Sequence, residues 1–374
     1  MNILFKQYLG ENHSWATTGR GLANSFKKNH SVDLFSTDGV EHIGSLKENV
    51  IGYTLKNERG GQGNEIFGKE PENKYDLQIG YTSPVNFKRY FDYSKIKFAI
   101  WCHEWNGKNI LPLSFMINFK YVDKILVPSL FAKDILLNSG LKEDRIEVVP
   151  HGVDESFANT NKYDFGLSDS TFKIFTNIAQ PHKRKNVQAV LESYGKAFTN
   201  KDDVCLILKI RFPKALSFDD DINKLLKEFK LKYKNHAQLK IINNFIDDIS
   251  SLYRASDACF TMSHCEGYYY PGHEALVSGI MNIAPNYGGQ LDFLNKENSL
   301  LVDGKIVRCP QEYMYSYPSA NAVWFEPNID LAADSLRFAK GNYKSINEKL
   351  SLNKVNVYNE TNWDMISKKI ISLM

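Results

Sequence analysis

Short apolar runs alternate along the whole chain with longer stretches whose apolar residues recur at helical spacing. Met1–Phe5, Val32–Ser36, Asp76–Gly80, Lys97–Cys102, Lys124–Pro128 and Ile146–Pro150 read as strands, with helices at Leu22–Asn29 and Leu130–Ser139. The polar stretch Glu155–Thr171 has no sustained period and reads as a linker. The alternation then restarts. Strands are expected at Phe172–Ile178, Val204–Ile210, Leu239–Asn243, Ala258–Thr261 and Met281–Ala284, and helices at Asn186–Ala197 and Asp220–Lys234. Such β–α alternation predicts mainly parallel sheets covered on both faces, and 374 residues favour two domains. The expected architecture is α/β: two doubly wound domains, residues 1–160 and 161–357, facing a cleft. An amphipathic helix at about 358–374 is expected to pack back on the first domain.

Composition narrows the function classes. The 46 basic and 43 acidic residues leave a net charge of +3, too balanced to argue for a nucleic-acid partner. Five cysteines, with no C-x-x-C pair, fit buried reduced thiols in a cytoplasmic protein better than a zinc site or a disulfide framework. No stretch approaches 18 consecutive apolar residues. In Asn86–Phe98, Lys88, Arg89, Lys95 and Lys97 interleave with aromatics. A solvated loop leading into a strand is the preferred reading, and peripheral membrane contact at the inner face is the alternative. Aromatic residues reach 13%, read first as core and second as surfaces suited to sugars.

The chemistry concentrates after the apolar run Ala258–Ser263, where HCEGYYYPGHEALVSG supplies a Gly- and Pro-containing loop that opens a helix near His273. Strand–loop–helix geometry offers backbone N–H groups at a helix start, where phosphate and sugar oxygens are well accommodated. Glu266 stands at the start of the loop and Glu274 one turn into the helix, where carboxylates can accept hydrogen bonds from hydroxyls. Upstream, HKRKN carries Arg184 and Lys185 at the opening of another helix. Cations there oppose the helix dipole, so a local anion would give them a reason to be held.

EGYYYPGHE resembles the E-x(7)-E signature of family-4 retaining glycosyltransferases (the glycosyl transferases group 1) of the GT-B fold, whose common form is EGFGLPxLEAMAxG. Val127–Asp154, His182–Phe198 and SLYRASDACFTMSHCEG are similar to family segments as well, so the resemblance spans most of the chain. It implies two Rossmann-like domains, acceptor-side and nucleotide-sugar-side. Glu266 would bind sugar hydroxyls and Glu274 the ribose, with Lys185 and Arg184 on the diphosphate. The backbone at Tyr268, Tyr269 and Tyr270 would contact sugar and phosphate. His103 would lie near the reacting carbon, and Gly19 and Gly21 would approach donor phosphate or acceptor. Two positions depart from the pattern. Ala179 stands where many relatives have an arginine, leaving Lys183, Arg184, Lys209 or Arg211 to supply that charge; Tyr269 stands where the family usually has Gly.

The resemblance therefore implies a metal-independent transferase needing no cofactor beyond its donor, a UDP-, GDP- or ADP-sugar. The acceptor would be a glycan or glycolipid in polysaccharide or glycoconjugate synthesis. It implies front-face chemistry, consistent with the lack of an evident carboxylate nucleophile or D-x-D motif. Domain closure would exclude water. The alternatives are a non-catalytic carbohydrate- or nucleotide-sugar-binding protein on this fold, or a sugar-nucleotide epimerase. Oligomeric state is not specified by the sequence.

Overall fold

A computed structural model describes the chain except for residues 12, 57–61, 73, 160, 211–220 and 315–318. It divides into two compact units. The first comprises residues 1–103, 111–154 and 361–374; the second comprises 104–110 and 155–360.

In the first unit, β1 (Asn2–Gln7), β2 (Ser31–Ser36), β3 (Val50–Lys56), β4 (Gln62–Gly68), β5 (Tyr75–Tyr81), β6 (Ser94–Ile100), β7 (Lys124–Val127) and β8 (Ile146–Val148) form one sheet. The order is β4-β3-β2-β1-β5-β6-β7-β8, parallel except for β4, which pairs antiparallel with β3 at the edge. Ile3, Leu4 and Phe5 on β1 are fully buried, as a central strand covered on both faces requires. Successive strands run from β1 through β2 to β3, then resume at β5 on the other side of β1, so the topological switch point lies between β1 and β5. The helices are α1 (Ser14–Phe26), α2 (Phe87–Tyr90), α3 (Leu113–Asn118) and α4 (Leu130–Asn138).

Helix α1 begins eight residues before the expected Leu22, because His13 caps it by accepting from the Ala16 N–H at 3.3 Å. Its first turns, rich in Thr and Gly, have low intrinsic helix propensity and hid it. Gly19 and Gly21 lie within this helix, and both are tightly packed. A Cβ on Gly19 would fall 1.6 Å from Gln7 Nε2, and one on Gly21 2.1 Å from the Trp363 indole. Trp363 opens the C-terminal helix, Trp363–Ile371, which packs on α1; Ser25 donates to Asp364 at 2.6 Å, and the indole N–H donates to Asp154 at 2.7 Å.

The basic–aromatic segment before β6 also resolves. Phe87, Tyr90, Phe91 and Phe98 are core residues, while Lys88, Arg89 and Lys95 point to solvent. Among the described residues, no helix is long and apolar enough to cross a membrane.

The second unit holds a six-stranded parallel sheet: β9 (Phe172–Ile178), β10 (Val204–Ile210), β11 (Gln238–Ile242), β12 (Ala258–Phe260), β13 (Met281–Pro285) and β14 (Ser299–Val302). Its order, β11-β10-β9-β12-β13-β14, puts the switch point between β9 and β12. Helices α5 (Val187–Ala197), α6 (Ile222–Lys232), α7 (Ile249–Arg254), α8 (Tyr270–Val277) and α9 (Ile329–Thr361) follow. Ile174, Leu206, Leu208, Phe260 and Ile283 pack with Val190, Tyr194 and Leu336 in the core. An antiparallel hairpin, β15 (Gly304–Arg308) with β16 (Val323–Pro327), was not expected, because β15 is short and mostly exposed and carries little hydrophobic signal.

Candidate active site

Open α/β sheets bind ligands beyond the carboxyl ends of their strands, at the switch point. In the second unit, the loops after β9 and β12 meet there. After β9, neutral His182 accepts the Arg184 N–H at 3.0 Å and shapes a single turn over Lys183–Lys185. Burial, then the neighbouring Arg184 and Lys185 charges, push the His182 ring down to about 3, which keeps that nitrogen an acceptor. Asn186 ends the turn in the left-handed region (φ 52°) and caps α5. This arrangement aims Arg184 and Lys185 together.

The β12 loop is tied to that turn by two contacts. His264 donates its N–H to the Arg184 carbonyl at 2.8 Å, and Arg184 Nη1 donates to the Cys265 carbonyl at 2.7 Å. Glu266 follows, 5% exposed, accepting from Arg184 Nη1 at 2.8 Å and from Lys185 Nζ at 2.6 Å. Its own carbonyl accepts the Gly289 N–H at 2.8 Å. Gly288 must be glycine there: its φ is 101°, and a Cβ would fall 2.9 Å from the Glu266 carbonyl oxygen. Glu104 stands 3.5 Å from Arg184 and adds a second carboxylate to the group. The pairing of Glu104 with Arg184 links segments far apart in sequence and has no local sequence signal.

Burial by itself would raise the Glu266 carboxyl. Lys185 and Arg184, with hydrogen bonds from Lys185 and Ser263, outweigh it and bring the group to about 2. Burial lowers Lys185 below its ordinary value, with Glu266 opposing the shift. The result is a buried cluster of two cations and two carboxylates, in which the cations can turn toward an incoming anion while a carboxylate stays ionised.

Glu274, on α8, belongs to a separate hydrogen-bonded chain. Tyr253 Oη donates to its carboxylate at 2.5 Å, and Asn177 near the end of β9 donates to Tyr253 Oη at 3.0 Å. Tyr268 is buried, its hydroxyl 2.8 Å from His273 Nδ1, and burial pushes the His273 ring down to about 4. Tyr270 is half-buried at the helix start.

Tyr269 explains one departure from the family pattern. Its φ is 69°, a left-handed conformation that costs a non-Gly residue about 1–3 kcal/mol and is natural for glycine. Its side chain does not enlarge or block a site opening; it is 4% exposed, with the hydroxyl 3.4 Å from Cys259 Sγ on β12. Room for the ring comes from Gly272, where a Cβ would meet Tyr269 at 2.3 Å. Ring burial against Gly272 and Cys259 offsets the backbone strain.

The other expected residues fall elsewhere. His103 belongs to the first unit, past the end of β6, with its ring stacked on Trp101 at 5.5 Å. Arg184 supplies the second cation beside Lys185 at Glu266. Lys183 lies over the Tyr313 ring at 5.7 Å, and half-buried Lys209 is in register with Asn177 on β9. Arg211 lies outside the described residues. Ala179 is exposed just past β9.

Known structures share this fold. No protein-family model matches the chain, and no curated protein matches it in sequence. Solved structures match it over its whole length. Anabaena Alr3699/HepE in complex with UDP and glucose superposes with a TM-score of 0.71 at 15% identity, covering 100% of this chain and 98% of that one. A glycosyltransferase from Rickettsia africae gives 0.70 at 18% identity, covering 100% and 97%. Sucrose-phosphate synthase from Thermosynechococcus elongatus gives 0.69 at 13%, covering 100% and 98%. The chain has the GT-B glycosyltransferase fold. Within this GT-B chain, the Glu266 cluster and Glu274 sit on the loop–helix unit that follows β12, and the cations come from the loop after β9.

Proposed function

We propose that the protein is a retaining, metal-independent glycosyltransferase of the family-4 type, using a nucleoside-diphosphate sugar. The observation that carries this reading is the buried pairing of Glu266 with Arg184 and Lys185 at the β9/β12 switch point. A donor diphosphate brings the negative charge these two cations are built to hold. As they turn to it, Glu266 is released to accept from sugar hydroxyls, and Glu274 accepts from ribose hydroxyls. HepE, crystallised with UDP and glucose or with UDP-glucose, supports a nucleotide-sugar ligand.

In the proposed reaction the acceptor oxygen attacks the anomeric carbon on the face the diphosphate leaves. The C–O bond to the β-phosphate breaks, its electron pair stays on the phosphate oxygen, and that oxygen takes the acceptor proton. Arg184 and Lys185 stabilise the charge developing on the leaving group, the task a divalent ion performs elsewhere. The assignment of His103 to the sugar near the reacting carbon, and a role in polysaccharide synthesis, rest on the resemblance of sequence segments.

Incubation with UDP-, GDP- and ADP-sugars, with and without acceptors, tests the reading through nucleoside-diphosphate release and thermal stabilisation. Turnover with one donor is expected; no release and no stabilisation with any donor would sink the proposal. Glu274→Ala should weaken nucleoside-diphosphate binding by about tenfold, the scale of one charge-assisted hydrogen bond. Unchanged binding removes the ribose assignment. Lys185 yields a pH test. Because its ammonium loses the proton below its ordinary 10.5, kcat/KM for the donor should fall on an alkaline limb below that pH. Lys185→Arg should move that limb out of range, and an unmoved limb would assign it to another group.

A further inference from the structure

At the switch point of the first unit's sheet, between β1 and β5, aromatic rings form a row. Tyr8 follows the last residue of β1, Trp15 lies in the first turn of α1, Tyr81 ends β5, and His151 lies beyond β8. Trp15 stacks on buried Tyr81 at 4.7 Å and 16°. Tyr8 tilts toward Trp15 at 5.7 Å, and Tyr81 stacks on His151 at 5.8 Å. Tyr8 and Trp15 keep part of their surface in solvent. Around them stand polar groups: a Glu11–Lys56 pair at 2.7 Å and His13, 3.6 Å from Asp38.

The loop beside this row already holds an anion of its own. Asp38 accepts the N–H groups of Leu9 and Gly10 at 2.7 Å each and of Glu11 at 3.1 Å, with Ser36 Oγ donating at 2.9 Å. Arg20 is bound to the carbonyls of Leu9 and Glu11 at 2.7 Å each. The backbone nest that a phosphate would need is therefore filled by Asp38.

We propose that Tyr8 and Trp15 are a binding platform for a neutral pyranoside, which the transferase reading makes the acceptor. A pyranose presents an apolar C–H face to a ring and a rim of hydroxyls to polar neighbours, the two surfaces found here. An anionic lipid or a nucleotide would meet Asp38 and Glu11 instead of a free nest. A rigid, pre-stacked Trp15 loses little conformational freedom on binding. The proposal rests on the transferase reading only for the word acceptor; binding itself does not.

Saturation-transfer NMR on the full chain tests it, with methyl β-glucoside, methyl β-galactoside, cellobiose and lactose as probes, and phosphatidylglycerol vesicles and UMP as comparison ligands. At least one sugar is expected to receive saturation at its C–H protons, with affinity falling at least tenfold in Trp15→Ala. Tyr8→Leu, which keeps apolar volume and loses the ring, should weaken binding in the same direction if Trp15→Ala does not fold. No sugar bound by the unaltered protein, sugar binding untouched by both substitutions, or Trp15-dependent binding of vesicles or UMP in place of sugar would each overturn the platform. UDP binding is measured on the same samples. Its absence in the unaltered protein counts against the donor-site reading alone, since the platform is judged by the sugars.

Discussion

Glu266→Gln is expected to lower transfer by about 10²–10³-fold, the scale of one lost electrostatic contact to a reacting group, while nucleoside diphosphate binds more tightly. The two effects separate because Glu266 serves two partners in turn. Its carboxylate pairs with Arg184 at 2.8 Å and Lys185 at 2.6 Å, and a diphosphate must displace it. Glutamine leaves both cations short of an anion, with Glu104 at 3.5 Å from Arg184 as the remaining carboxylate. Removing one partner of a buried ion pair costs about 3–5 kcal/mol, so the variant should melt early. UDP, GDP or ADP restores the missing charge, and its stabilising shift in Tm should exceed that of the unaltered protein. Calorimetry with each diphosphate checks the sign; weaker binding to the variant would mean that the cations are not the diphosphate site. The pH dependence of stability should change too. Glu266 is held near 2 against an ordinary 4.5, so its contribution is fully present above about 4.5 and is lost as the pH falls through 2. Glutamine removes that dependence.

Gly21→Leu should cost the first unit about 1–2 kcal/mol, read from chemical denaturation. A Cβ alone would meet the Trp363 indole at 2.1 Å, and overpacking of this kind typically costs about 1–3 kcal/mol. Leucine's better helix propensity, worth about 1 kcal/mol over glycine, offsets only part of it. Adding Trp363→Ala should recover a measurable part of the loss, since the clash is with that ring. Gly341→Ala is the control of opposite sign. That glycine lies exposed in α9 with nothing within 4 Å of its would-be Cβ, so alanine should stabilise by about 0.5–1 kcal/mol. Equal tolerance at Gly21 would mean that packing against Trp363 is not what requires glycine there.

The alternating pattern determined the class of fold, because a strand buried on both faces must be continuously apolar and a covering helix must be amphipathic. β1, β9, β10 and β12 were legible for that reason. Helix α1 was legible only in its second half, and the β15–β16 hairpin was not, since weak propensity and exposed positions carry little periodic signal. At the site, the E-x(7)-E stretch and HKRKN were evident as local motifs. Their meeting was not, because it depends on the order β10-β9-β12, which brings the ends of strands more than eighty residues apart to one switch point. The same holds for Glu104 and for the row from Tyr8 to His151. Tyr269 illustrates the division most plainly. The sequence by itself marked it as a departure at a position that favours glycine; only tertiary packing, with Gly272 making room and Cys259 receiving the hydroxyl, decided that its ring turns inward and that the loop keeps the left-handed backbone the turn requires.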